Sequence, residues 1–150
     1  MNMGGEPFVI EYNCRLGDPE TEVVLPRLQT DLVALFAAMD NGTLEDANIS
    51  FDERSAATIM AVSGGYPGEY AKGKPIELPA ATEVPKDTMV FHAGTISSGE
   101  QVLTNGGRVL AVTSYGANIA EAVERSKTTL QQISFEGMYF RKDIGFEFPC

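Results

Sequence analysis

The stretch IEYNCRLGDPETE, Ile10 to Glu22, sets a carboxylate, an amide and a guanidinium at two-residue intervals and follows them with a Gly-Asp-Pro-Glu turn. Two residues is the repeat of a β-strand, in which successive side chains point to opposite faces. A strand is therefore expected from about Phe8 to Cys14, with Val9, Glu11 and Asn13 on one face and Phe8, Ile10 and Tyr12 on the other. Glu11 and Asn13 then stand side by side as two hard oxygen donors. The pair suits Mg2+, which prefers oxygen, takes one or two protein groups and completes its octahedron with water and phosphate oxygens. Arg15, continuing that face, offers a planar cationic fork to phosphate or carboxylate oxygens. Taken alone, so short a pattern reads more commonly as a solvated strand face with a surface ion pair.

The residues after the strand are turn and helix formers. Gly17 permits a tight turn, Asp18 can cap backbone N–H groups, Pro19 suits a first helical position, and Glu20 and Glu22 favour the positive end of a helix. Pro26 lies too deep for one uninterrupted helix, so a short helical turn is expected first and the main helix from Pro26. Leu28, Leu32, Leu35 or Phe36, and Met39 recur at helical spacing until Asn41-Gly42, and are expected in the core. A first strand needs neighbours that the seven residues before it cannot supply, so a segment upstream is expected to be missing.

Composition narrows the function classes. The chain has 150 residues, enough for one sizeable core or two small ones. Its formal charge is -10, from 21 acidic against 11 basic side chains with no basic run, which speaks against a nucleic-acid partner. Hydrophobic content is 43%, no apolar stretch reaches the length of a membrane span and no signal-peptide pattern opens the chain, so a cytoplasmic location is expected. Cys14 and Cys150 do not resemble a secreted disulfide framework and are expected as free thiols.

Asn41 to Asp52, rich in Asn, Asp and Gly, is the natural boundary, and a second unit is expected from Phe51. It opens with a strand from about Ala56 to Ser63. GGYPGEYAKG, with four glycines and one proline in ten residues, must be loop, primarily a structural turn whose tyrosines and Lys72 could also line a site. Strands are expected near Thr88 to Ile96, Gln101 to Thr104 and Arg108 to Thr113, with Asn105-Gly106-Gly107 as a tight hairpin connection. That turn lacks the strand-loop-helix context and the trailing Lys-Ser/Thr of a phosphate-binding loop. Ile119, Ala122, Val123, Leu130 and Ile133 mark one face of a helix from about Ala117 to Ile133. His92, the one histidine, alternates within an apolar strand without an evident partner and is expected as a buried or half-buried structural residue rather than a general base. Arg141, Lys142 and Asp143 could form a salt-bridged cluster or help complete the cleft, and the structural reading is the one expected.

Glu11-x-Asn13-x-Arg15-x-Gly17-Asp18-Pro19-Glu20 followed by a long helix resembles the metal-binding strand of the ATP-grasp ligases, specifically the phosphoribosylamine-glycine ligase (glycinamide ribonucleotide synthetase) family. SGGYPGEYAKGKPI (Ser63 to Ile76), VFHAGT (Val90 to Thr95), TNGGRVLAVTSYG (Thr104 to Gly116) and YFRKDIG (Tyr139 to Gly145) resemble that family's carboxy-terminal domain, in the family's order. The resemblance runs from Gly5 to Phe148.

The resemblance implies an α+β fold: the terminal strand and helix of an ATP-grasp core in residues 1–50, then a small, mostly antiparallel sheet domain with a covering helix in residues 51–150, of the rudiment single hybrid type. It also implies that the amino-terminal and lid regions are absent and that the isolated chain is inactive. The implied reaction ligates glycine to 5-phosphoribosylamine at the expense of ATP, through glycyl phosphate, in de novo purine biosynthesis. Glu11 and Asn13 would hold Mg2+ or Mn2+ against the ATP phosphates, Arg15 would stabilise phosphate or acyl-phosphate oxygens, and Asp18 and Glu20 would fix the turn that aims Arg15. Cys14 replaces a more usual apolar residue on the opposite face. Two alternatives stay open: a non-catalytic module that dimerises or binds a partner through its exposed strand, and another ATP-grasp carboxylate-amine ligase.

Overall fold

The computed structural model describes residues 1–148, so Cys150 lies outside the described residues. In chain order the elements are β1 (Asn2–Met3), β2 (Glu6–Pro7), α1 (Thr21–Val24) running into a 3-10 turn (Leu25–Arg27), and α2 (Leu32–Asp40), followed by a second 3-10 turn (Leu44–Asp46). Then come β3 (Ser55–Val62), β4 (Thr88–His92), β5 (Thr95–Ser98), β6 (Gln101–Thr104), β7 (Arg108–Gly116) and α3 (Ile119–Leu130). The result is a mixed fold of small antiparallel sheets and few helices, as expected in class.

The centre is the sheet β3-β7-β4, antiparallel throughout. In β3 every second residue, Ala57, Ile59 and Ala61, is buried, while β7 is buried along nearly its whole length. A strand reads this way when it is central and covered on both faces. Ala57, Ile59 and Ala61 pair with Ser114, Val112 and Leu110, so these residues share one face. That face packs on α3, whose Ala122, Val123 and Leu130 complete the core with Ile133 and Phe135 from the following loop. Three buried hydroxyls on this face bond to one another: Ser126 Oγ donates to Ser114 Oγ at 2.9 Å, which also lies 2.9 Å from Thr88 Oγ1. The helix starts at Ile119 because Asn118 caps it, its side chain accepting from Glu121 N, while the Glu121 carboxylate reaches back to accept from Ala117 N, one residue before the cap.

The strand expected from Phe8 to Cys14 is not formed. Phe8 exchanges hydrogen bonds with Met1 beside the β1–β2 hairpin, and residues 9–13 have no ladder partner among the described residues. The main helix begins at Leu32, not Pro26: Asp31 caps it by accepting from Ala34 N at 2.9 Å, and Pro26 sits in the preceding 3-10 turn. The short helical turn expected before it is α1, which starts at Thr21 without a side-chain cap from Asp18. The core assignment of this helix holds only for Leu35; Leu28 is half-buried, and Leu32, Phe36 (58%) and Met39 (61%) are exposed, because no described element covers that face.

The hairpin expected at Asn105-Gly106-Gly107 lies elsewhere. The chain runs out along β4 and β5, reverses at Gly99-Glu100 and returns along β6 and β7, with Ser98 opposite Gln101. Gly99 has φ +62°, as the first loop position of a two-residue type II′ turn requires. Asn105 to Gly107 is instead where the ribbon changes partners: β6 leaves β5, and β7 joins β3 and β4. Gly94 lies opposite, donating to Arg108 O and accepting from Asn105 N at 2.8 and 2.7 Å.

Candidate functional site

Glu11 and Asn13 are neighbours in space as in sequence: Asn13 Nδ2 donates to Glu11 Oε1 at 3.1 Å. Both are exposed, and so are Phe8, Val9, Ile10 and Tyr12, so burial does not set the face of Val9, Glu11 and Asn13 apart from that of Phe8, Ile10 and Tyr12. Arg15 is also exposed and donates to Leu16 O at 3.1 Å, with no hydrogen bond or ion pair to Glu11 or Asn13 among the described residues. The donor set fits a hydrated Mg2+ or Mn2+ better than Zn2+: it holds a carboxylate and an amide oxygen, and among the described residues no group of three or more His, Cys, Asp or Glu converges on a metal-sized site. Cys14 is exposed and free.

Three β7 side chains hold the residues that follow. Arg108 donates from Nη1 to Asp18 O at 3.1 Å and pairs through Nη2 with the Asp18 carboxylate at 3.1 Å. Thr113 donates to Glu22 O at 2.8 Å, and the Tyr115 hydroxyl donates to Pro26 O. Each β7 side chain thus takes a main-chain carbonyl of the Asp18 to Pro26 segment. Burial raises the Tyr115 phenol above its ordinary value, so it stays a donor. None of these three roles follows from the sequence, in which Arg108 is expected only as the first residue of a strand.

A cleft of about 380 Å³ opens beside the Asp18-Pro19 turn, lined by Pro19, Met60, Tyr66, Arg108, Tyr139 and Arg141 among others. Of the loop residues considered as site-lining, Tyr66 is there; Lys72 is exposed and lines none of the clefts described. His92 departs from expectation: it is exposed at the end of the edge strand β4, with Nδ1 3.1 Å from Thr95 Oγ1. The Arg141–Asp143 pair forms as expected, at 2.9 Å on the surface.

An ion-pair chain, also unanticipated, ties the start of β3 to α3. Arg54 bridges Asp52 (2.7 Å) and Asp87 (2.8 Å) and lies over the Tyr115 ring at 4.3 Å; Arg125 links Asp87 (3.3 Å) to Glu121 (2.5 Å). Arg27 closes it by donating to Asp52 O at 2.8 Å. Hydrogen bonds from Arg54 hold the Asp52 carboxyl down from the ordinary 3.8 to about 2, and lower Asp87 too. The folded carboxylates bind protons more weakly than the unfolded ones, so their stabilisation is full above about pH 3.8 and is lost as pH falls towards 2. Arg54→Gln is therefore expected to flatten the acid limb of a denaturation-midpoint profile; a limb as steep as that of the unsubstituted chain would contradict this.

Residues 56–147 match the family model described as phosphoribosylglycinamide synthetase, C domain. The chain belongs to this family. The chain is 48% identical over 143 residues to a phosphoribosylamine-glycine ligase of Vibrio cholerae, covering 95% of this chain and 33% of that protein. It is 45% identical to the ligase of the same name from Chlorobaculum tepidum, covering 94% and 33%. The crystal structure of a phosphoribosylamine-glycine ligase from Thermotoga maritima superposes with a TM-score of 0.72 at 30% identity, covering 93% of this chain and 34% of that one. The chain thus spans about a third of the length of these relatives. Glu11, Asn13 and Arg15 lie outside the residues that the family model matches.

Proposed function

We propose that this chain is part of a phosphoribosylamine-glycine ligase acting in purine biosynthesis, in which residues 1–50 belong to an ATP-grasp domain and residues 51–150 form the carboxy-terminal domain. The observation that carries the reading is the 48% identity to a protein of that name along 95% of the chain. Exposed Phe8, Val9, Ile10 and Tyr12 agree with it, since the remainder of a ligase of the relatives' length offers surface to cover them.

In this reading a glycine carboxylate oxygen attacks the terminal phosphorus of ATP and ADP departs, giving glycyl phosphate. The amine of 5-phosphoribosylamine then attacks the acyl carbon, phosphate leaves and the nitrogen gives up a proton, yielding glycinamide ribonucleotide. Glu11 and Asn13 hold Mg2+ or Mn2+ through carboxylate and amide oxygens. Once bound, the ion supplies charge neutralisation and orientation of the ATP phosphates. Arg15 contributes electrostatic stabilisation of phosphate or acyl-phosphate oxygens without moving a proton. Asp18 and Glu20 shape the turn after Arg15. The reactants are small molecules, and a cytoplasmic location goes with them; no described helix is long and apolar enough to cross a membrane.

The test is formation of glycinamide ribonucleotide from ATP, glycine and freshly generated 5-phosphoribosylamine with magnesium. A ligase of the relatives' full length carrying this sequence is expected to make product, and the 150-residue chain alone to make none. Absence of product from the folded full-length ligase would sink the reading.

A further inference from the structure

Between residues 9 and 16 no hydrogen bond reaches beyond this short segment among the described residues; the bonds there are Asn13 to Glu11 and Arg15 to Leu16. The first tie to the rest of the fold after Arg15 is the double contact of Arg108 with the carbonyl and carboxylate of Asp18, across 90 positions of sequence. We infer that Arg108 is a positioning residue for the metal and phosphate site, fixing through Asp18 the place of Asn13 and Arg15; the inference rests on the proposed roles of those residues.

The fold sets Arg108 in place by three local devices. Ala61 pairs with Leu110 but Val62 pairs with Arg108, so Val109 is an extra residue in β7. Such a bulge re-aims the side chain beyond it, and it puts Arg108 on the side of the sheet from which Thr113 and Tyr115 reach the same segment. Gly106 and Gly107 are pinned by Ser63, whose Oγ donates to Gly106 O at 2.9 Å and whose N donates to Gly107 O at 2.8 Å. Gly107 is buried and lets the Tyr66 ring close over the backbone: a Cβ there would fall 2.1 Å from Tyr66 Cδ2. TNGGR is thus a mount for Arg108 rather than a hairpin or a phosphate cradle.

The Arg108–Asp18 pair is partly solvated, with side-chain exposures of 37% and 53%, so it adds little to stability. Its worth is geometric. A guanidinium fork holds a carbonyl and a carboxylate at once, which an ammonium cannot reproduce. Residues that orient metal ligands without touching the ion typically cost 10–100-fold in metal affinity when replaced.

Two readouts test this. In the metal-free 150-residue chain, Arg108→Gln is expected to speed amide exchange at Thr21 and Val24, which bond to Gly17 O and Glu20 O, while Val112 in β7 keeps its protection. Arg108 acts one contact further out, through Asp18, so in the full-length ligase Arg108→Gln is expected to raise the magnesium concentration for half-maximal activity by several-fold, up to about 10-fold, without a matching fall in melting temperature, with Arg108→Lys intermediate. Unchanged exchange at Thr21 and Val24, or an unchanged magnesium requirement in a folded variant, would overturn the inference. Should Arg108→Gln not fold, Arg108→Lys decides on the same two readouts. Glu11→Ala in the same assay separates the levels: if it too leaves the magnesium requirement unchanged, the metal assignment falls and takes this inference with it. If Glu11→Ala shifts the requirement and Arg108→Gln does not, only the positioning role falls.

Discussion

Replacing Glu11 by alanine in a full-length ligase carrying this sequence is expected to lower magnesium-dependent turnover by roughly two to three orders of magnitude, corresponding to about 3–4 kcal/mol. The estimate follows from the chemistry of the donor. Glu11 is the one charged ligand of the proposed pair, and an ionised acceptor interacts about twice as strongly as a neutral one. Asn13→Ala, which removes a neutral oxygen, is expected to cost about 10–100-fold. Both side chains are exposed and their mutual hydrogen bond lies on the surface, so neither change should disturb the fold. Initial rates of ADP release at saturating substrates, with melting temperatures recorded alongside, measure the effect. Turnover close to that of the unsubstituted ligase would strip Glu11 of the metal role.

A large effect on stability is expected far from those residues, at Gly94. A Cβ there would sit 2.4 Å from Arg108 O, 2.7 Å from Gly106 Cα and 2.9 Å from Gly106 N. All three are backbone atoms at the point where the ribbon changes partners, so no side chain can swing aside. Relief requires parting Gly94 from Arg108 and Asn105, with loss of the two hydrogen bonds that cross there. Gly94→Ala is expected to destabilise the chain by about 3 kcal/mol or more, read as a lowered urea midpoint. Gly99→Ala is the control: its Cβ would meet open space, leaving only the left-handed φ of +62° to be borne, at about 1–2 kcal/mol. Equal midpoints for the two variants would contradict the packing described for the crossing.

What the sequence disclosed followed from how local each feature is. Alternating burial over Ser55–Val62 and the apolar face of Ile119–Leu130 are properties of residues close in sequence, and both elements were legible to within a few positions. The position of the hairpin was not, because Asn-Gly-Gly and Gly-Glu are both competent turns and only the pairing of Thr95–Ser98 with Gln101–Thr104 chooses between them. The apolar neighbours of His92 suggest a buried or half-buried side chain, but it ends an edge strand with solvent beyond it. Phe8 to Cys14 has strand periodicity and Leu28 to Met39 helical periodicity, yet periodicity states only which faces a neighbour could cover. No described element covers them, so the first forms no ladder and the second buries Leu35 alone. Glu11 and Asn13 do touch, through one hydrogen bond between residues two apart, but not on the strand from which their placement side by side is argued. Arg108 was not, because its role depends on a bulge and on a partner 90 positions away.

The most direct test of the metal assignment is a Mn2+ titration of the full-length ligase in the presence of ATP, with free ion followed by electron paramagnetic resonance. Glu11→Ala and Asn13→Ala are expected to weaken binding by at least about 10-fold, while the surface substitution Asp143→Asn leaves it unchanged. Equal Mn2+ affinity in all three variants and the unsubstituted ligase would contradict the placement of the ion on Glu11 and Asn13.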